Sequence, residues 1–213
     1  DGIRDLVRSR GLGDVYKRQA ELKSFLNNQT LTNPMEFLVA VSGASGTVYA
    51  GRLVEALRNA GHKAIVVVSR GAKKVARHEG AKLPRQDYGE DDFSAPHASG
   101  SHKYDGMVII PCSAKTLGEV ANGIGDTLIT RAAEVCLKER RKLVLVVRET
   151  PLSLITINNM RNFTLAGGII LPASPGFYSG SRKVGDLVDF VVGRVLDQLG
   201  VEHSLYRRWG EKK

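Results

Sequence analysis

Between Val39 and Ala50 the chain reads Val-Ala-Val-Ser-Gly-Ala-Ser-Gly-Thr-Val-Tyr-Ala, an apolar strand that breaks on Ser42-Gly43-Ala44-Ser45-Gly46 and resumes as an amphipathic helix. A strand entering a helix through a glycine turn is the first half of a βαβ unit. The helix start aims free N–H groups and the positive end of a dipole at one point, where an anion is neutralised by backbone alone. The plainer alternative is a tight strand–helix turn without a ligand.

The rest of the chain repeats the alternation. Strands are expected at Phe37–Ser42, Lys63–Ser69, Gly106–Pro111, Leu143–Arg148 and Gly168–Leu171, with helices between them. Runs such as Ala64-Ile65-Val66-Val67-Val68 and Leu143-Val144-Leu145-Val146-Val147 lack polar alternation, which suits parallel strands covered on both faces. The expectation is one α/β domain, a Rossmann-like (flavodoxin-like) doubly wound parallel sheet of about five or six strands. Ligands of such sheets sit beyond the carboxyl ends of the strands, so the residues just after each strand are the candidates.

Three further segments complete the layout. Gly80 to Lys103 reads as a long polar loop, with Pro84, Asp91-Asp92, Pro96 and Ser99-Gly100-Ser101. Val184 to Leu199 reads as a last helix with an apolar face on Leu187, Val188, Val191, Val192, Val195 and Leu199, stopped by Gly200. Residues 1–34 show no sustained period beyond a short helix at Ala20–Leu26. They read as an N-terminal extension, non-native or disordered, ahead of a domain over 35–213. The extension lacks the apolar core of a secretory signal, and its four acidic residues argue against a transit peptide.

Composition narrows the partners. No apolar run approaches the roughly 20 residues of a membrane span, so no membrane partner is expected. The formal charge of +9 is dispersed among acids without an aromatic-interleaved basic stripe, which argues against nucleic acid. Cys112 and Cys136 are the only cysteines and form no CxxC pair, so the expectation is a reducing cytoplasm without disulfides. His97 and His102, five apart, lack metal-ligand spacing, and no metal is expected.

The strand ends carry the chemistry. Gly43-Ala44-Ser45-Gly46 departs from GxGxxG, and the second strand ends in Ser69-Arg70 rather than in an acid for a ribose diol, which disfavours NAD. Ser-Arg there suits either the 2′-phosphate of NADP or, with so short a phosphate loop, a mononucleotide such as FMN. After the third strand, Ser113 and Thr116 can cap a helix while touching a ligand. Cys112 reads as a small buried residue or a nucleophile.

Thr130 to Arg141 reads as helical, with Arg131 and Lys138 on one face, either solvated or gripping a phosphate. The fourth strand ends in Arg148-Glu149-Thr150-Pro151. There Arg148 can fork a phosphate or carbonyl and Glu149 can shuttle protons, unless the neighbours simply pair as a salt bridge.

Taken together, Ser42–Gly46, Val68-Ser69, Ala98–Ser101, Pro111–Ser113, Arg131–Ala133, Leu137–Arg141, Arg148–Pro151, Pro175–Tyr178 and Arg208–Gly210 resemble the flavin prenyltransferases of the UbiX family, from about Met35 to Glu211. The resemblance implies transfer of a dimethylallyl group from dimethylallyl phosphate to N5 and C6 of reduced FMN. The product, prenylated FMN, would serve UbiD-type decarboxylases. It also implies metal-independent chemistry, which the lack of an Asp-rich motif supports, and a homo-dodecamer with sites at subunit boundaries.

By the same resemblance Gly43, Ala44, Ser45, Ser69, Ser113, Thr116 and Arg148 hold FMN. Tyr178 and Arg194 hold dimethylallyl phosphate, with Arg131 and Lys138 joining that phosphate site and Glu79 near it. Ser45 and Glu149 are the expected proton carriers, and Trp209 an aromatic wall. Arg194 stands alone on the last helix, where pattern alone makes it a surface residue. The rivals are an FMN-dependent cysteine decarboxylase, which the loop Pro96–Ser101 and His78 fit less well, and a non-catalytic flavin carrier.

Overall fold

The structure is a computed structural model and describes residues 33–178, 180 and 183–210; the helix expected at Ala20–Leu26 lies outside them. Six parallel strands form one sheet: β1 (Glu36–Val41), β2 (Lys63–Val68), β3 (Tyr88–Gly89), β4 (Gly106–Cys112), β5 (Lys142–Val147) and β6 (Ile169–Ile170), in the order β3-β2-β1-β4-β5-β6. Around them lie α1 (Val48–Asn59), α2 (Arg70–Glu79), α3 (Ala114–Ala121), α4 (Leu128–Lys138), α5 (Leu154–Leu165) and α6 (Val184–Leu199).

The apolar runs are continuous because both faces of the sheet are covered. On β1, Phe37, Val39 and Val41 enter a core with Leu53 and Leu57 of α1 and Val191 and Val195 of α6. Leu38 and Ala40 enter the opposite core with Leu117 of α3, Ala132 and Cys136 of α4 and Phe163 of α5. Successive side chains alternate faces, so a strand sandwiched between helix layers needs every position apolar.

Two expectations change. The segment Gly80–Lys103 is not a plain loop, since it contributes β3 and a 3-10 turn at Pro96–Ala98. Two residues paired on one side only leave no periodicity to read. That edge strand completes the Rossmann order 3-2-1-4-5-6; the other five strands alone have the flavodoxin order. The helix expected to run to Arg141 stops at Lys138, because Arg140 adopts a left-handed φ of 56°. Arg141 then turns back, its guanidinium 4.4 Å over the Tyr104 ring and donating to the Gly100 carbonyl.

Candidate active site

The strand order reverses between β1 and β4, and the carboxyl ends of these strands are tied together. Ser42 Oγ donates to the Pro111 carbonyl at 2.9 Å and accepts from the Ser113 N–H at 2.8 Å. This buried serine, part of the glycine motif but without an expected role, fixes the crevice where such folds bind ligands. Beside it opens a cavity of about 370 Å³, lined among others by Gly43, Ser69, Gly71, Ser113, Thr116 and Thr127.

Local capping sets this lining. Ser69 caps α2 by accepting from Ala72 N at 3.0 Å, and Ser113 caps α3 by accepting from Thr116 N at 3.2 Å. Thr127 and Thr130 form a reciprocal cap on α4. Three helix starts thus face the cavity, a setting for an anionic group, and the ion pairs Arg70–Glu90 at 2.8 Å and Lys115–Glu119 at 2.6 Å complete its lining. A Cβ on Gly43 would lie 3.2 Å from the backbone of Gly71, so glycine permits the β1–α1 turn to approach α2 closely.

The far side of the glycine turn differs from the expected open cradle. Gly46, at φ 97°, and Thr47 donate their N–H groups to Glu79 at 2.7 and 3.1 Å, and Thr47 Oγ1 donates at 2.6 Å. Burial alone would raise the Glu79 pKa, but hydrogen bonds from Thr47, Ser45 and the two amides together hold it at about 2. The anion at this helix start is therefore the chain's own carboxylate. Glu79 and Ser45 meet there, which leaves the Gly43 side of the turn facing the cavity.

At the end of β5, Arg148 donates its N–H to the Cys112 carbonyl at 3.1 Å. Its Nε is buried without a partner among the described residues, and it forms no ion pair with Glu149. A buried donor in that state is incomplete until an acceptor arrives. Glu149 is exposed and accepts from the Thr150 N–H at 3.0 Å. Cys112 is fully buried and its thiol pKa is pushed far up by desolvation, which supports the packing role over the nucleophile.

The remaining candidates lie in two other groups. Arg131 donates from Nε to the Ala98 carbonyl at 3.2 Å and pairs with Glu134 at 2.7 Å; Lys138 pairs with Glu139 at 2.5 Å. Both cations of α4 face the loop around residues 98–100 and do not line the cavity. Tyr178 packs edge-on against Phe190 and Trp209, with centroids 5.6 and 5.2 Å away. Arg194 and Phe190 line a second cavity of about 350 Å³ with Leu171, Pro172 and Ser174.

Arg194 is held by Asp197 at 2.9 Å, and Asp197 also accepts from Tyr206 at 2.6 Å, Arg208 at 2.9 Å and His203 at 3.1 Å. Asp197 and Phe190 had no expected role. Nothing in the sequence marked them, because their contacts with Tyr178 and with the tail after Gly200 join segments distant along the chain.

Known proteins resemble this chain in sequence and fold. A family model described as Flavoprotein matches residues 26–196. The flavin prenyltransferase UbiX of Thermoplasma acidophilum is 50% identical over 182 residues, covering 82% of this chain and 100% of that protein. The crystal structure of AnUbiX in complex with FMN and dimethylallyl pyrophosphate is 39% identical with a TM-score of 0.81, covering 85% of this chain and 100% of the other. A dodecameric FMN-dependent UbiX-like decarboxylase from Escherichia coli O157:H7 is 40% identical with a TM-score of 0.78, covering 83% and 100%.

Proposed function

Because this chain belongs to the flavin prenyltransferase UbiX family, we propose that it transfers a dimethylallyl group from dimethylallyl phosphate to reduced FMN, giving prenylated FMN. The observation that carries the reading is 50% identity across the whole of a flavin prenyltransferase. Hydroxyls on three helix starts lining the cavity suit the flavin's phosphate, and Arg148 at the end of β5, whose Nε has no partner among the described residues, suits a flavin or phosphate oxygen.

Reduced FMN supplies an electron-rich N5 that captures the allylic cation and a C6 that closes the fourth ring. The chain's residues prepare and balance those events. Gly43, Ala44, Ser45, Ser69, Ser113, Thr116 and Arg148 hold and orient the flavin. Arg131, Lys138, Tyr178 and Arg194 bind the phosphate, which departs with the electron pair of the allylic C–O bond. Glu79 orients Ser45. N5 loses its proton as it is alkylated, a proton passes to the prenyl alkene and another leaves C6, the last two through Ser45 and Glu149, so that one C5H8 unit is added in all. Trp209 and Tyr178 shield the site from water. No metal ion is assigned to the reaction.

The split of the cationic candidates into separate groups on one chain supports a site completed by neighbouring copies. Exposed Leu154, Ile155 and Leu165 on α5, each at least 70% accessible, offer apolar surface for such an assembly, which we take to be a homo-dodecamer. The functional domain in this reading is 35–213. The reducing cytoplasm suits its two free, buried thiols.

The product would pass to a UbiD-type decarboxylase, and that provides the test. Reduced FMN and dimethylallyl phosphate are incubated anaerobically with the protein, and the filtrate is added to a flavin-free UbiD-type decarboxylase. Activation that requires both substrates is expected. A filtrate no better than FMN alone would refute the proposal.

A further inference from the structure

At the opposite edge of the sheet, three side chains converge that the reaction does not use. Glu36 opens β1, His97 lies in the 3-10 turn at Pro96–Ala98, and His102 follows in the loop before β4. Glu36 Oε1 meets His97 Nε2 at 2.8 Å and His102 Nε2 at 3.0 Å. The three ligand-capable atoms lie within 4.8 Å of one another. The two histidines alone lacked a ligand spacing because their third member stands far back in the sequence, on the first strand.

We propose that Glu36, His97 and His102 form a structural site for one divalent transition-metal ion of the zinc or cobalt class. Two imidazoles and a carboxylate match the borderline character of such ions, which bind each at about 2.0–2.2 Å. Donors on a tetrahedral ion at that range stand about 3.4 Å apart, so side-chain rotations must lengthen the two Glu36–histidine distances from 2.8 and 3.0 Å and shorten the widest pair, now within 4.8 Å. The His102 side chain is one-third exposed, which gives solvent access for a water as fourth ligand.

The surroundings suit this role. Lys63 Nζ holds Glu36 Oε2 at 2.6 Å, leaving Oε1 as the ligand atom and fixing the carboxylate plane. Without an ion both Nε2 atoms carry their protons toward Glu36 Oε1, so metal entry replaces those two protons and moves the imidazole protons to Nδ1. The rings of Tyr88 and Tyr104, with centroids 6.2 and 5.0 Å from that of His97, keep one side apolar. The length of β1, about 16 Å at the usual strand rise, separates Glu36 from the cavity at the carboxyl end of that strand, while Arg131 reaches the loop beside His97 through the Ala98 carbonyl at 3.2 Å. The ion would clamp the loop between β3 and β4 onto the start of β1.

The test uses the full chain stripped with EDTA, then dialysed against zinc chloride with the bound metal measured, and separately titrated with cobalt(II) by visible absorption. One zinc per chain and a tetrahedral cobalt band are expected. His102→Phe should lose the band and weaken zinc by about tenfold or more; Glu36→Gln should do likewise. No zinc uptake by the unmodified chain, or equal uptake by His102→Phe, would overturn the proposal. Flavin prenylation in EDTA is measured alongside and is expected unchanged, so failure of this site and failure of the proposed activity are distinguishable.

Discussion

Replacing Arg148 by methionine should move ligand binding and stability in opposite directions. Arg148 Nε is buried with no partner among the described residues. A buried polar group left unsatisfied costs about 1–3 kcal/mol, and more when charged. Methionine keeps much of the side chain's length and packing while deleting that cost, so the ligand-free protein should hold its stability or gain up to about 1–2 kcal/mol. With FMN present, the same substitution removes a charge-assisted hydrogen bond worth about 1.5–3 kcal/mol, or about ten- to a hundred-fold in Kd. Urea unfolding of the flavin-free chain and a fluorescence titration with FMN read the two effects separately. A ligand-free protein destabilised by about 2 kcal/mol, with FMN affinity unchanged, would show that Arg148 is a structural residue and refute the reasoning.

Glu79 makes stability depend on pH: its folded pKa of about 2 lies below its ordinary 4.5, so its contribution is present above 4.5 and lost as pH falls toward 2. Because the side chain is exposed, solvent screening leaves about 1 kcal/mol, and urea midpoints of the unmodified chain and Glu79→Gln should differ at pH 7 and converge in acid. Glu149→Gln should retain FMN affinity yet slow prenyl transfer about a hundred-fold or more, read in single-turnover assays; unchanged turnover would remove its proton role. Asp197→Asn removes the charge that holds Arg194 at 2.9 Å. It should raise the KM for dimethylallyl phosphate several-fold while leaving the Kd for FMN unchanged, and an equal loss for both would point to a damaged tail.

The central strands and the last helix were legible because burial on both faces writes itself into the sequence as unbroken valine, isoleucine and leucine runs. Val184–Leu199 carried its own boundary in Gly200, whose φ of 79° is the left-handed stop that glycine tolerates. β3 was not legible, since two residues bonded to β2 alone have no pattern. The site was legible where it follows strand ends: Gly43, Ser69, Ser113 and Thr116 meet around one cavity. Contacts between distant segments left no trace, as with the Glu79 carboxylate on the Gly46 amide or Asp197 under the tail. Arg131 and Lys138 share a helix face as their spacing required, yet spacing could not say that this face meets the loop at Ala98 rather than the cavity.

The most direct test of the proposed chemistry is the mass of the flavin released after anaerobic incubation of the protein with reduced FMN and dimethylallyl phosphate. A gain of one C5H8 unit, about 68 mass units, is expected for transfer completed by proton movement through the site. FMN of unchanged mass, released from protein that binds both substrates, would contradict prenyl transfer and leave a flavin-binding protein without that chemistry.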